Sequence, residues 1–175
     1  NLMNITMSGQ FTTHIVTSIV VGIILAFPYL LFEVWRFITP ALKKKEKKYA
    51  LGLVFSGSIL FTIGILFGYY FVSPLSVQFL WNYSVSSQVP NEITLTSYIS
   101  TVTTVTLVCG LVFQLPLIVF FLSKLGLITP EFMKKYRKHA IVVTLVLSAI
   151  ITPPDISSQI LLTIPLLILY EFSIW

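Results

Sequence analysis

The reactive inventory of this sequence is small: six Asp and Glu, two His and one Cys in 175 residues. His14 and His139 stand at the ends of apolar runs, in no metal-ligand spacing with each other or with an acid, and read as interfacial residues. Cys109 lies inside an apolar run and reads as a small packing residue; a single cysteine excludes an internal disulfide and a cysteine metal cluster. There is no GxSxG, no HExxH and no glycine-rich phosphate cradle. The expectation is therefore a protein that is not an enzyme and carries no cofactor or metal.

Polar groups inside apolar runs carry more information, because they are costly in hydrocarbon and tend to be functional there. Gln114 precedes Lys124 by ten residues, about 15 Å of helix, and is the deepest strongly polar side chain on its run. It either makes an interhelical hydrogen bond or contacts a substrate or partner. Glu33 is three residues from Arg36 and can pair with it on one helix face. Asp155 follows Pro153 and Pro154, where a carboxylate can cap the next helix. Glu171, about 24 Å along that helix, should approach the opposite interface. Glu46 is surrounded by five lysines, a setting that favours its ionised form. It belongs either to a solvated basic loop or to a site that accepts a guanidinium, whose planar fork suits a carboxylate better than an ammonium does.

The elements that must position these groups are membrane spans. With 56% hydrophobic and 10% charged residues and a mean hydropathy of +0.93, the composition departs from the roughly 25% charged residues of water-soluble domains. All eleven Lys and Arg residues fall in two patches, Arg36 with Lys43 to Lys48, and Lys124 with Lys134 to Lys138. The stretches Asn1 to His14, Asn82 to Tyr98 and Thr152 to Ile156 contain none. By the positive-inside rule the basic loops 40–49 and 124–139 are cytoplasmic and the bare segments lie outside. The net charge of +5 is accordingly a topology signal, and nucleic acid is not an expected partner.

A helix of about 20 apolar residues crosses the hydrocarbon layer. Ile15 to Ile38 meets this, with Pro28 expected to kink it. Leu51 to Leu80 exceeds it, so the part beyond Pro74 should tilt or project, with Trp81 and Tyr83 as anchors. Tyr98 to Leu122 returns, interrupted by Pro116. Ala140 to Ile151 and Ile156 to Trp175 form a final pair. The first of these has only twelve apolar residues, about 18 Å of helix, which fits a re-entrant hairpin or a short span in a thinned bilayer. The charge asymmetry across the TPPD turn favours the short span. Gly64 and Gly68 form a GxxxG step, and with Gly57 they allow close helix contact inside the bundle. The expected fold is all-α, a polytopic transmembrane helix bundle in one domain over 1–175, with five spans of which the last two are short. A small-solute carrier or channel would need a polar path, and Gln114 is almost alone at depth. A scaffold subunit without a substrate site is a third reading.

The run F-P-Y-L-L-F-E-V-W-R-F-I-T-P-A-L-K-K-K-E-K-K, Phe27 to Lys48, resembles a signature of the TatC family, the polytopic receptor subunit of the twin-arginine protein translocase. A second signature is similar to I-T-P-P-D-I-S-S-Q, Ile151 to Gln159, followed by Tyr170-Glu171. A third is F-Q-L-P, Phe113 to Pro116, where the family commonly has glutamate in place of Gln114. The resemblance covers essentially the whole chain. It implies a six-helix bundle of which this chain holds the second to sixth spans, without the cytoplasmic tail and first helix, in a bacterial inner membrane or an equivalent organelle membrane. It also implies binding of twin-arginine signal peptides of folded cargo proteins, assembly with single-span TatA- or TatB-like subunits and with other copies, and transport driven by the proton-motive force. By the same resemblance, Phe37 and Glu46, with Pro40 shaping the loop, match positions implicated in twin-arginine recognition. Thr152 and Gln159 match positions implicated in docking a partner helix. The absent tail supplies a further acidic contribution in the family, and Gln114 cannot carry the charge of the family's glutamate.

Overall fold

A computed structural model describes residues 7–38, 50–82, 94–124, 129–151 and 156–174. Helix α1 runs Gly9–Ile38 and continues through Pro28 as one helix. At 30 residues it is about 45 Å long, more than a bilayer core requires. Helix α2, Ala50–Phe67, continues through a π-helical turn, Gly68–Val72, into α3, Ser73–Asn82. Its cause is two residues downstream: Pro74 has no N–H to give the Tyr70 carbonyl and its ring crowds that group. The backbone widens instead, and the N–H of Ser73 reaches back to the Gly68 carbonyl.

Proline acts similarly on the next run, with a sharper result. Helix α4, Leu95–Val112, is capped by Thr94, whose hydroxyl accepts from the Ser97 N–H at 3.2 Å. It ends because Pro116 cannot donate to the Val112 carbonyl. Phe113 and Gln114 form a tight turn, the Gln114 N–H donating to the Leu111 carbonyl at 3.0 Å, and α5 resumes as Leu115–Lys124. The expected interruption at Pro116 is therefore a complete joint between two helices. Beyond it lie α6, Pro130–Lys135, capped by Thr129, then α7, Arg137–Ile151, and α8, Ile156–Ile174.

Among the described residues three stretches, Gly9–Ile38, Gly52–Asn82 and Leu95–Ser123, are long and apolar enough to cross a membrane. The α7 and α8 helices are shorter, 15 and 19 residues, or about 22 and 28 Å. The fold is the expected all-α polytopic bundle with a short final pair.

Packing divides into two groups. Helices α1, α2 and α4 pack on one another, while α7 and α8 pair and α8 leans on α5, and one buried core joins the groups, with Leu162 and Leu166 of α8 against Val72, Val105, Cys109 and Phe113. The first group is locked by glycine. A Cβ placed on Gly64 would lie 2.8 Å from the Phe113 Cβ and 2.9 Å from the Gly110 Cα, and one on Gly68 would lie 2.8 Å from the Cys109 Cβ. The backbones of α2 and α4 thus touch, as the GxxxG spacing predicted, and the contact is internal to the chain. Phe27 stacks on Phe61 with centroids 3.6 Å apart, joining α1 to α2. At the lysine-free end, Tyr69, Tyr70, Trp81 and Tyr98 line a cleft of about 590 Å³. Their position at the end of the spans fits an aromatic belt.

Candidate functional site

The turn that ends α4 also places Gln114. Its side chain projects across to α2, where the amide nitrogen donates to the Gly57 carbonyl at 3.0 Å. Gly57 makes this possible: a Cβ there would sit 2.9 Å from Leu117 Cδ2, 3.1 Å from Leu31 Cδ1 and 3.4 Å from the amide oxygen of Gln114. The side chain is 5% exposed and its oxygen has no hydrogen-bond partner among the described residues. Of the two roles open to Gln114, the geometry supplies the interhelical bond. It leaves one buried acceptor in hand.

Toward the basic end two acids, Glu33 and Glu171, are paired. Glu33 lies 3.6 Å from Arg36 one turn along α1, the expected pair, with both side chains substantially exposed. Glu171 near the end of α8 meets Arg137 at the start of α7 at 2.7 Å, a partnership that the sequence reading missed. Beside it the Tyr170 hydroxyl donates to the Met133 carbonyl at 2.9 Å. Two successive residues of α8 therefore clasp the α6–α7 corner. Glu171 stands at the level of the second basic patch, as its distance along α8 predicted.

The α7–α8 pair is held by a seam of small polar groups. The Gln159 amide donates to the Leu145 carbonyl at 3.2 Å, and the Thr163 hydroxyl contacts the Ser148 hydroxyl at 3.0 Å. Both hydroxyls also lie within reach of a carbonyl one turn back, Ser148 at Thr144 and Thr163 at Gln159. Ser158 is buried in the same pair. Gln159, expected at a partner-docking surface, thus spends one of its two amide N–H groups inside the chain. Ser148 and Thr163 were missed. Their signal was present as polar residues four apart, Thr144 with Ser148 and Gln159 with Thr163, in largely apolar helices.

Phe37, in the last turn of α1, is 85% exposed. Pro40, Glu46, Thr152 and Asp155 lie outside the described residues. Among the described residues, no three His, Cys, Asp or Glu side chains gather where they could hold a metal ion. Cys109 is fully buried against Gly68. What the described groups offer is hydrogen bonding, charge and an exposed ring, a vocabulary of binding.

A family model described as Sec-independent protein translocase protein (TatC) matches residues 1–165. The Sec-independent protein translocase protein TatC of Blattabacterium sp. subsp. Periplaneta americana (strain BPLAN) is 43% identical over 167 residues, covering 95% of this chain and 63% of that protein. TatCy of Bacillus subtilis (strain 168) is 40% identical over 157 residues, covering 90% of this chain and 62% of that protein. The chain thus spans less than two thirds of the length of either. A crystal structure of the twin-arginine translocase receptor TatC in DDM superposes with a TM-score of 0.82 at 38% identity, covering 99% of this chain and 77% of that one.

Proposed function

The chain belongs to the TatC family of Sec-independent protein translocase proteins, and from that premise we propose that it is the signal-peptide receptor and core subunit of a twin-arginine translocase. Its basic side faces the cytoplasm, as the placement of all eleven Lys and Arg residues argues. The observation that carries the reading is Phe37: a large ring at the basic end of α1, 85% exposed, nine residues before the carboxylate of Glu46. A signal-peptide guanidinium would find there a planar acceptor and an aromatic face, with Pro40 shaping the loop between them.

The short α7–α8 pair is the docking surface for single-span partner subunits. Gln159 commits one amide N–H to Leu145, which leaves its oxygen and its second N–H to offer a partner helix, alongside the hydroxyl of Thr152. Export of folded proteins draws on the proton-motive force. Proton coupling does not run through Gln114, which carries no ionisable proton at physiological pH.

The test is binding of the full-length protein, with its partner subunits, to a twin-arginine peptide and a twin-lysine control. Glu46→Gln keeps the shape and removes the charge, so twin-arginine binding should weaken, because charge-assisted bonds are roughly twice as strong as neutral ones. Glu46→Arg should abolish it, with insertion unchanged, and both substitutions should matter less for the twin-lysine peptide. Full twin-arginine affinity in Glu46→Arg would refute the assignment.

A further inference from the structure

The second basic patch has a charge balance and a continuation that the receptor reading does not use. Arg137 is paired with Glu171. Lys134, Lys135 and Lys138 are exposed, and among the described residues none of their ammonium groups has a carboxylate within ion-pair distance, Glu131 included. Hydrogen bonds from the Tyr136 N–H to the Phe132 carbonyl and from the Ala140 N–H to the Tyr136 carbonyl carry the helical path around the corner, so α6 and α7 present connected faces. One such face reads Lys135, Lys138, Val142, Val146, Ile150, at steps of three or four residues. All five are exposed, Ile150 to 75%. The opposite side is the one fixed to α8, through the Met133 carbonyl and Arg137.

We propose that this corner is a binding site for an anionic glycerophospholipid of the leaflet on the basic side. Lys134, Lys135 and Lys138 hold the phosphodiester, and an acyl chain lies along Val142, Val146 and Ile150. The order of residues selects an amphiphile. From Lys138 the helix descends about 6 Å to Val142 and about 18 Å to Ile150, so charge gives way to hydrocarbon over the distance that separates a headgroup from its chain. The rings of Phe132 and Tyr136, centroids 4.3 Å apart and tilted by 37°, with His139 5.3 Å from Tyr136, supply the interfacial layer between the two. A soluble acidic partner would use the ammonium groups and leave the apolar continuation unexplained.

The test measures lipid retained by the full-length protein in detergent, by native mass spectrometry, during titration with phosphatidylglycerol or phosphatidylcholine. The parent should retain phosphatidylglycerol preferentially, and Lys134→Gln/Lys135→Gln/Lys138→Gln should weaken that retention at least tenfold, since each basic residue at a membrane surface is worth about fivefold. Because these side chains are exposed, circular dichroism should be unchanged. Lys43→Gln/Lys44→Gln/Lys45→Gln removes the same charge elsewhere and should change retention less than threefold. Equal loss in both triple variants, or none in the first, overturns the site. Displacement of the lipid by millimolar glycerol 3-phosphate overturns it in favour of a soluble anion. Charge-dependent capture of a polyglutamate peptide at this corner in phosphatidylcholine nanodiscs, as strong as the capture of phosphatidylglycerol, overturns it in favour of an acidic protein segment.

Discussion

Replacing Gly64 by alanine probes the contact that holds α2 to α4. The added methyl would sit 2.9 Å from the Gly110 Cα and 2.8 Å from the Phe113 Cβ, about 0.5 Å inside the 3.4 Å edge of ordinary contact. Neither neighbour is the free end of a side chain, so no rotamer change relieves the clash. The helices must part by several tenths of an ångström, and the contacts flanking Gly64 part with them, including the approach of Gly110 to Ile65 and Phe61. Overpacking of this kind costs about 1–3 kcal/mol. Set against the roughly 1 kcal/mol that alanine gains over glycine in helix propensity, it leaves a net loss of up to about 2 kcal/mol, about 1–3 kcal/mol below an unobstructed glycine-to-alanine change. Gly22 and Gly52 provide the reference, because a Cβ at either meets nothing within 4 Å. Gly22→Ala and Gly52→Ala should be neutral or slightly stabilising. Unfolding free energies in bicelles, measured by steric trapping, compare the three. If Gly64→Ala matches Gly22→Ala within about 0.5 kcal/mol, α2 and α4 are not in backbone contact and the glycine argument fails.

Three further outcomes follow from the same geometry. Thr163→Val keeps shape but removes the hydroxyl that meets Ser148 at 3.0 Å; it should cost about 0.5–1.5 kcal/mol and be non-additive with Ser148→Ala in the same unfolding assay. A double-mutant cycle over Arg137→Gln and Glu171→Gln should give a coupling no larger than about 1 kcal/mol, diminishing with salt, since both side chains are nearly half exposed. Cysteines at Lys135 and at Phe11 should react with impermeant thiol reagents from opposite sides of the membrane, with buried Cys109 silent; labelling of both from one side would overturn the topology.

Much of this architecture was legible because bilayer thickness and charge placement are one-dimensional constraints. The span limits, the short final pair and the placement of Glu171 needed only counting along the chain. Pro116 and Gly64 were readable for a related reason, since a missing N–H and a missing Cβ have fixed local effects. The π turn at Gly68–Val72 was not legible. Pro74 can be accommodated by a kink, a break or a widened turn, and the choice depends on what α4 presents opposite Gly68. The Arg137–Glu171 pair and the Ser148–Thr163 contact also escaped the sequence reading, because helices apolar on all sides give no periodic signal of which face turns inward. Pairing across them is a three-dimensional fact. For the candidate site, the motifs named Phe37, Glu46, Thr152 and Gln159. Nothing in them indicated that Gln159 bonds within its own chain.

The joint at Phe113–Gln114 has a mechanical consequence. A straight rod pinned at one end carries any tilt of that end to the other; a rod jointed in the middle does not. Here α4 is pinned to α2 by glycine contacts that admit no slack, whereas α5 leans on α8, which is clasped to the α6–α7 corner. With no helical hydrogen bond spanning Pro116 to the Val112 carbonyl, α4 and α5 need not share one axis. The two halves of the span are held by different partners: α4 by Gly64 and Gly68 and by Leu162 and Leu166 of α8, α5 by Trp35 of α1 and by α8. The amide of Gln114, reaching back to Gly57, is the tether at the pivot.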